Sequence, residues 1–185
     1  MTEVSYSKEI IKELIEGRLP WERVKWMASA YKDADRFDKY IEVLQEKMTW
    51  KERILLRLTE DLYIVEKGQG RIVKCSCGHE FGDYRENWKL KALVYVRHTE
   101  EEIEELYPST YESRPPLDLV EIREYYCPGC ANQLEVEVVP FGYPVIFDFL
   151  PDIDNFYSDW LEKPLYTRKE FEDRSYELIK QWPDS

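Results

Sequence analysis

All four cysteines of the chain fall in two short motifs, Cys75-Ser76-Cys77-Gly78-His79 and Cys127-Pro128-Gly129-Cys130. Four thiols in two close pairs are the donor set of a single tetrahedral metal ion. Zinc needs thiolates about 2.3 Å away, so two ligands close in sequence must converge through a tight turn. Gly78 and Pro128-Gly129 supply residues that turn readily. The reading is one zinc site held by Cys75, Cys77, Cys127 and Cys130, with an iron ion in the same four-cysteine site left open because ligand count does not separate the two metals. A disulfide pair fits poorly with a chain whose first residues show no secretory signal. The zinc deaminase pattern fails, because His79 and Glu80 are adjacent and Pro128 lies inside its cysteine pair. Four thiolates close the metal shell, whereas a catalytic zinc keeps one position open for water, so the metal is read as structural. His79 stands close enough in sequence to replace one thiolate, or to serve as a turn or supporting residue.

Other chemistry is sparse. The two histidines, His79 and His98, lie in no nucleophile or metalloprotease motif, and there is no phosphate-binding or dinucleotide fingerprint. Catalytic residues are therefore assigned to none. The net charge of −12 argues against a nucleic-acid partner, since phosphate contacts demand clustered Lys and Arg. No apolar run approaches a membrane span, and the chain is expected in the cytoplasm. Aromatic residues make up 15%, with 14 Tyr and 6 Trp. Such residues are enriched at interfaces, which points to a subunit.

The elements that must position the cysteines follow from periodicity. Strand-like runs at 62–65 and 71–74 lead into the first pair, joined by a hairpin loop at Glu66-Lys67-Gly68-Gln69-Gly70, and a run at 119–126 leads into the second. Further strands are expected at 91–97, 134–139 and 145–150. Ahead of them, a helix should start after Ser7 and stop at Gly17, a second should start at Pro20, and a third carries Phe37, Tyr40, Ile41, Leu44 and Met48 at helical spacing. Thr99 and Glu102 form a capping box for a helix between the cysteine pairs, followed by a loop over 108–116, and Thr167 and Glu170 repeat the pattern for a last helix carrying Phe171, Leu178, Ile179 and Trp182. The fold class is α+β: a helical N-terminal segment over 1–60, a small antiparallel zinc-ribbon-like β-core over 61–150, and an extended aromatic arm with a C-terminal helix over 151–185. Phe156, Tyr157 and Trp160 of the arm are expected to bind a partner.

The runs Asp61-Leu62-Tyr63-Ile64-Val65, Cys75-Ser76-Cys77-Gly78-His79-Glu80-Phe81-Gly82-Asp83-Tyr84, Tyr125-Tyr126-Cys127-Pro128-Gly129-Cys130 and Gly142-Tyr143-Pro144-Val145-Ile146-Phe147-Asp148 resemble the γ (small) subunit family of acetone carboxylase. The resemblance extends from the N-terminus to about Tyr166. It implies a dimer of heterotrimers with two large subunits, α and β, that converts acetone and bicarbonate to acetoacetate with ATP hydrolysis. It also implies that ATP and catalytic manganese belong to the large subunits, while the small one carries zinc on Cys75, Cys77, Cys127 and Cys130. The small subunit of acetophenone carboxylase is related, so the ketone is left open. A free-standing acidic zinc-ribbon adaptor is the competing expectation.

Overall fold

Ser7 accepts the amide of Ile10 and opens α1 (Lys8–Ile15). Gly17 ends the turn with φ of 68°, a left-handed conformation that glycine adopts without strain. Pro20 precedes α2 (Trp21–Ser29), and α3 (Arg36–Lys47) follows. The computed structural model describes residues 5–30, 33–108 and 119–181. The helices close around Ile11, Leu19, Met27 and Val43, all buried.

The hydrophobic period then changes from helical spacing to two, and the chain forms an antiparallel sheet of β1 (Ile54–Arg57), β2 (Leu62–Lys67), β3 (Gly70–Cys75) and β4 (Glu80–Asp83), in sequence order. The β2–β3 hairpin pairs Leu62 with Cys75 and Lys67 with Gly70, which leaves Gly68 and Gln69 as the turn. β2 is buried on both faces. Tyr63 and Val65 pack with Leu44 of α3, while Leu62 and Ile64 face the main core with Phe81, Trp88 and Tyr125. A 3-10 turn (Trp88–Lys91) leads to a second antiparallel sheet, β5 (Leu93–Arg97), β6 (Val120–Tyr126) and β7 (Gln133–Pro140), with β6 central. Between β5 and β6, α4 (Glu100–Leu106) begins at Thr99 with the full capping box to Glu102 and buries Ile103. The architecture is α+β, with a cluster of four cysteines in a zinc-ribbon-like core. Among the described residues, no helix is long and apolar enough to cross a membrane.

Two expectations need correction, the strand at 145–150 and the start of the last helix. Residues 145–150 form no strand. Arg123 Nη2 donates to the carbonyl of Tyr143 at 2.5 Å, and Lys89 pairs with Asp148, so side chains draw this stretch across the second sheet instead of along its edge. The aromatic arm after residue 150 begins with α5 (Ile153–Asn155), which continues as a wider turn (Phe156–Trp160) and inserts Ile153 and Tyr157 into the main core. The last helix, α6 (Ser175–Ile179), starts eight residues after Thr167. Thr167 and Lys169 are held instead by a buried pair, where Arg71 donates to the Thr167 carbonyl at 2.6 Å and the Lys169 amide donates to Asp154 at 2.9 Å. Trp182 and most of the expected 108–116 loop lie outside the described residues.

Candidate metal centre

Cys75 is the last residue of β3 and Cys127 directly follows β6, so one cysteine pair stands at the end of each sheet. The first loop is closed by the Cys75 amide on the His79 carbonyl at 2.8 Å and the Gly78 amide on the Cys75 carbonyl at 2.9 Å. Gly78 takes φ of 100° to allow this. The second loop repeats the plan, with the Cys127 amide on the Asn132 carbonyl at 2.9 Å and the Ala131 amide on the Cys127 carbonyl at 2.8 Å. Both loops present two sulfurs to one point.

The sulfur positions fit a tetrahedron around a single ion. Bonds of about 2.3 Å require sulfur–sulfur edges of roughly 3.8 Å. Cys75 Sγ lies 3.9 Å from Cys130 Sγ, Cys77 Sγ lies 3.7 Å from Cys127 Sγ, and all four lie within 4.8 Å of one another. A disulfide requires about 2.05 Å, and all four cysteines are free. The four could hold a metal ion, and His79 is not needed to complete the set.

Burial pushes the Cys75 thiol well up despite an amide donated by Cys77, and burial likewise raises Cys130. At Cys77 burial acts in the same direction, but the His79 amide and the neighbouring thiols outweigh it and hold the group below its usual value. Four ionised sulfurs packed this closely repel one another unless a cation lies among them. A metal ion supplies that charge and releases the protons as it binds.

Residues that the sequence reading passed over brace the two loops against each other. Asp61 accepts from Ser76 Oγ at 2.6 Å and from Asn132 Nδ2 at 3.2 Å, and so ties the first cysteine loop to the second. Its signal was present in the hairpin register: a turn at Gly68-Gln69 pairs Leu62 with Cys75 and brings Asp61 beside Ser76. Trp50 Nε1 donates to the Ser76 carbonyl at 3.1 Å. Gly129 is required by close approach, since a Cβ there would meet His79 Cβ at 2.8 Å and Cys77 Sγ at 3.3 Å. His79 thus packs against the second loop and, edge to face, against Phe81.

A second cluster, without sulfur, ties the second sheet to the 3-10 turn that precedes it. Glu135, Glu137 and Asp148 converge within 4.8 Å, and the buried ammonium of Lys89 sits among them, 2.7 Å from Glu135 and in contact with the other two. Tyr125 OH donates to Glu137 at 3.0 Å. Three carboxylates on one ammonium leave net negative charge, and burial raises Glu135 above the usual carboxylate range. With Lys89 in its centre, the cluster is an internal ion-pair hub.

The three residues expected at a partner surface separate. Tyr157 is buried in this chain's own core and donates to the Leu55 carbonyl at 2.9 Å. Phe156 packs edge to face on Phe37. Trp160, 82% exposed, is the member of the three that faces outward. His98 is exposed, its amide donated to Glu102, and lies in no cluster with other potential metal ligands among the described residues.

Fold and site together define a small α+β protein in which a zinc-ribbon-like cluster of four cysteines connects two antiparallel sheets. The chain belongs to the acetone carboxylase gamma subunit family, whose model matches residues 48–161 and so covers both sheets and all four cysteines. The acetone carboxylase gamma subunit of Xanthobacter autotrophicus is 41% identical over 167 residues, spanning 89% of this chain and 98% of that protein. The acetophenone carboxylase beta subunit of Aromatoleum aromaticum is 37% identical over 79 residues, spanning 43% of this chain and 61% of that protein.

Proposed function

We propose that this chain is the small, zinc-binding subunit of an ATP-dependent ketone carboxylase, which converts acetone and bicarbonate to acetoacetate in the cytoplasm. The observation that carries the reading is the sulfur tetrahedron within a chain similar over nearly its whole length to an acetone carboxylase gamma subunit. Cys75, Cys77, Cys127 and Cys130 would hold zinc with no position left for water, so the ion acts as a staple between the sheets. ATP and manganese belong on two large partner subunits, in a dimer of heterotrimers, and the choice between acetone and an aryl ketone belongs there too. The small subunit contributes to assembly and not to bond making.

Native purification from the source cell tests this, with subunit composition, metal content and ATP- and bicarbonate-dependent acetone consumption measured on one fraction. The expected result is co-elution with two large subunits and carboxylation in that fraction. A solitary zinc-loaded protein in fractions without carboxylase activity would refute the reading and favour an adaptor.

A further inference from the structure

The segment that follows Trp160 is fixed to the rest of the chain by polar contacts. Arg71 holds the Thr167 carbonyl, Asp154 holds the Lys169 amide, the Arg174 amide donates to the Arg85 carbonyl at 2.8 Å, and the Asn87 amide donates to Ser175 Oγ at 2.8 Å. Leu165 packs on the main core. The large aromatic side chains point the other way: Tyr166 is fully exposed, and Phe171 and Tyr176 are more than half exposed, as is Trp160 at the start of the strap. A strap that lay down to bury apolar surface would show the opposite arrangement. Here the backbone is ordered while the apolar side chains remain in water, so little conformational entropy is left to lose when a partner covers them.

We infer that the strap over 160–179 is a preorganised ridge that docks into an apolar groove on a large carboxylase subunit; this rests on the carboxylase reading above. At about 150–250 Å² for a whole aromatic side chain, the four aromatics at their exposure offer on the order of 600 Å². A standard interface buries about 800 Å² per partner, so the ridge can form most of one side of such a contact. A second copy of this chain is a poor occupant, because each copy carries a net charge of −12 and like charge opposes pairing. The ridge itself is close to neutral, with four basic and five acidic residues over 160–179, so an apolar groove on a larger subunit fits it. The family match ends at residue 161, so of the ridge's four aromatics Trp160 lies within the matched range and the other three lie beyond it.

The test uses the full-length chain and the two large subunits of its source cell. Binding of wild type is compared with that of the triple variant Tyr166→Ser, Phe171→Ser, Tyr176→Ser, none of which contributes a polar contact named above. Affinity should fall about 30-fold or more, the scale of hot-spot truncation, with zinc content and melting temperature of the variant unchanged. Tyr166→Ser alone, at a fully exposed site, should weaken binding about tenfold and replaces the triple variant if that one is unstable. Wild-type binding with variants within twofold would overturn the ridge and leave the carboxylase reading standing. No wild-type binding at all would overturn both, and aromatic-dependent self-association would overturn the choice of occupant.

Discussion

At the scale of single residues, the closest approach in the candidate metal centre is between Gly129 and His79. Gly129→Ala places a methyl group 2.8 Å from His79 Cβ and 3.3 Å from Cys77 Sγ, so one cysteine loop must shift. The expected cost is about 1–3 kcal/mol, the range for overpacking, and zinc should pass faster to a colorimetric chelator than it does from wild type. Cys127→Ser acts more severely. It removes a ligand from a fully buried position, and structural zinc binding of about 10–16 kcal/mol exceeds or matches the roughly 5–15 kcal/mol stability of a domain. Zinc should drop below about 0.1 per chain, and the thermal transition should lose its cooperativity. Full zinc retention in Cys127→Ser would show that the tetrahedron described here is not the binding site. The cysteines themselves were legible from type and spacing, because one residue between Cys75 and Cys77 and two between Cys127 and Cys130 restrict where such side chains can point. Asp61, which ties the two loops together, became visible only once strand register was known.

Among the elements, those with local signals were readable from the sequence. Ser7, the capping box at Thr99 and Glu102, and the Gly68-Gln69 turn all act within a few residues, and each element forms as its residues dictate. Elements decided by distant partners were not. Arg71 and Asp154 are 83 residues apart and meet in a buried two-pronged ion pair, with both bonds at 2.7 Å. That pair, with its bonds to Thr167 and Lys169, holds the stretch where a helix was expected from Thr167 and anchors the aromatic arm to the core. β1 was missed because Ile54-Leu55-Leu56 is a continuous apolar run without alternation, so periodicity alone could not assign it. Arg71→Ala leaves the Asp154 carboxylate buried and unpaired, at an expected cost of about 3–5 kcal/mol. Amide hydrogen exchange over 163–179 should accelerate at neutral pH in this variant. Burial alone would raise Asp154, but the Arg71 and Lys169 bonds outweigh it and hold the carboxyl below its usual value. A depressed carboxyl stabilises the fold above its unfolded value of about 3.9 and loses that contribution as pH falls through the folded value. In wild type, the same exchange should therefore accelerate only below about pH 4, whereas Arg71→Ala should show it at pH 7. Unchanged exchange in the variant would mean that the pair does not hold the strap.

In the whole molecule, the cysteine cluster connects the two sheets, the Lys89 hub ties β7 to the 3-10 turn and to Asp148, and the main core is rich in aromatic side chains. This explains how a chain with few glycines can place four thiols so close together: each cysteine pair ends a paired strand, and the core fixes where those strands end. Composition foretold a subunit through its excess of Tyr and Trp, and the structure separates the aromatics that complete the core, such as Tyr125 and Tyr157, from those left outside, such as Trp160 and Tyr166. The proposed arrangement is one closed four-sulfur zinc site joining the two sheets, with the carboxylation chemistry on other subunits. X-ray absorption on the purified complex, with metal counted per small subunit, tests it most directly. One zinc per chain is expected, with four sulfur neighbours at about 2.3 Å and no oxygen or nitrogen bound to it. Iron in place of zinc, or a shell with a water or imidazole among its ligands, would contradict it.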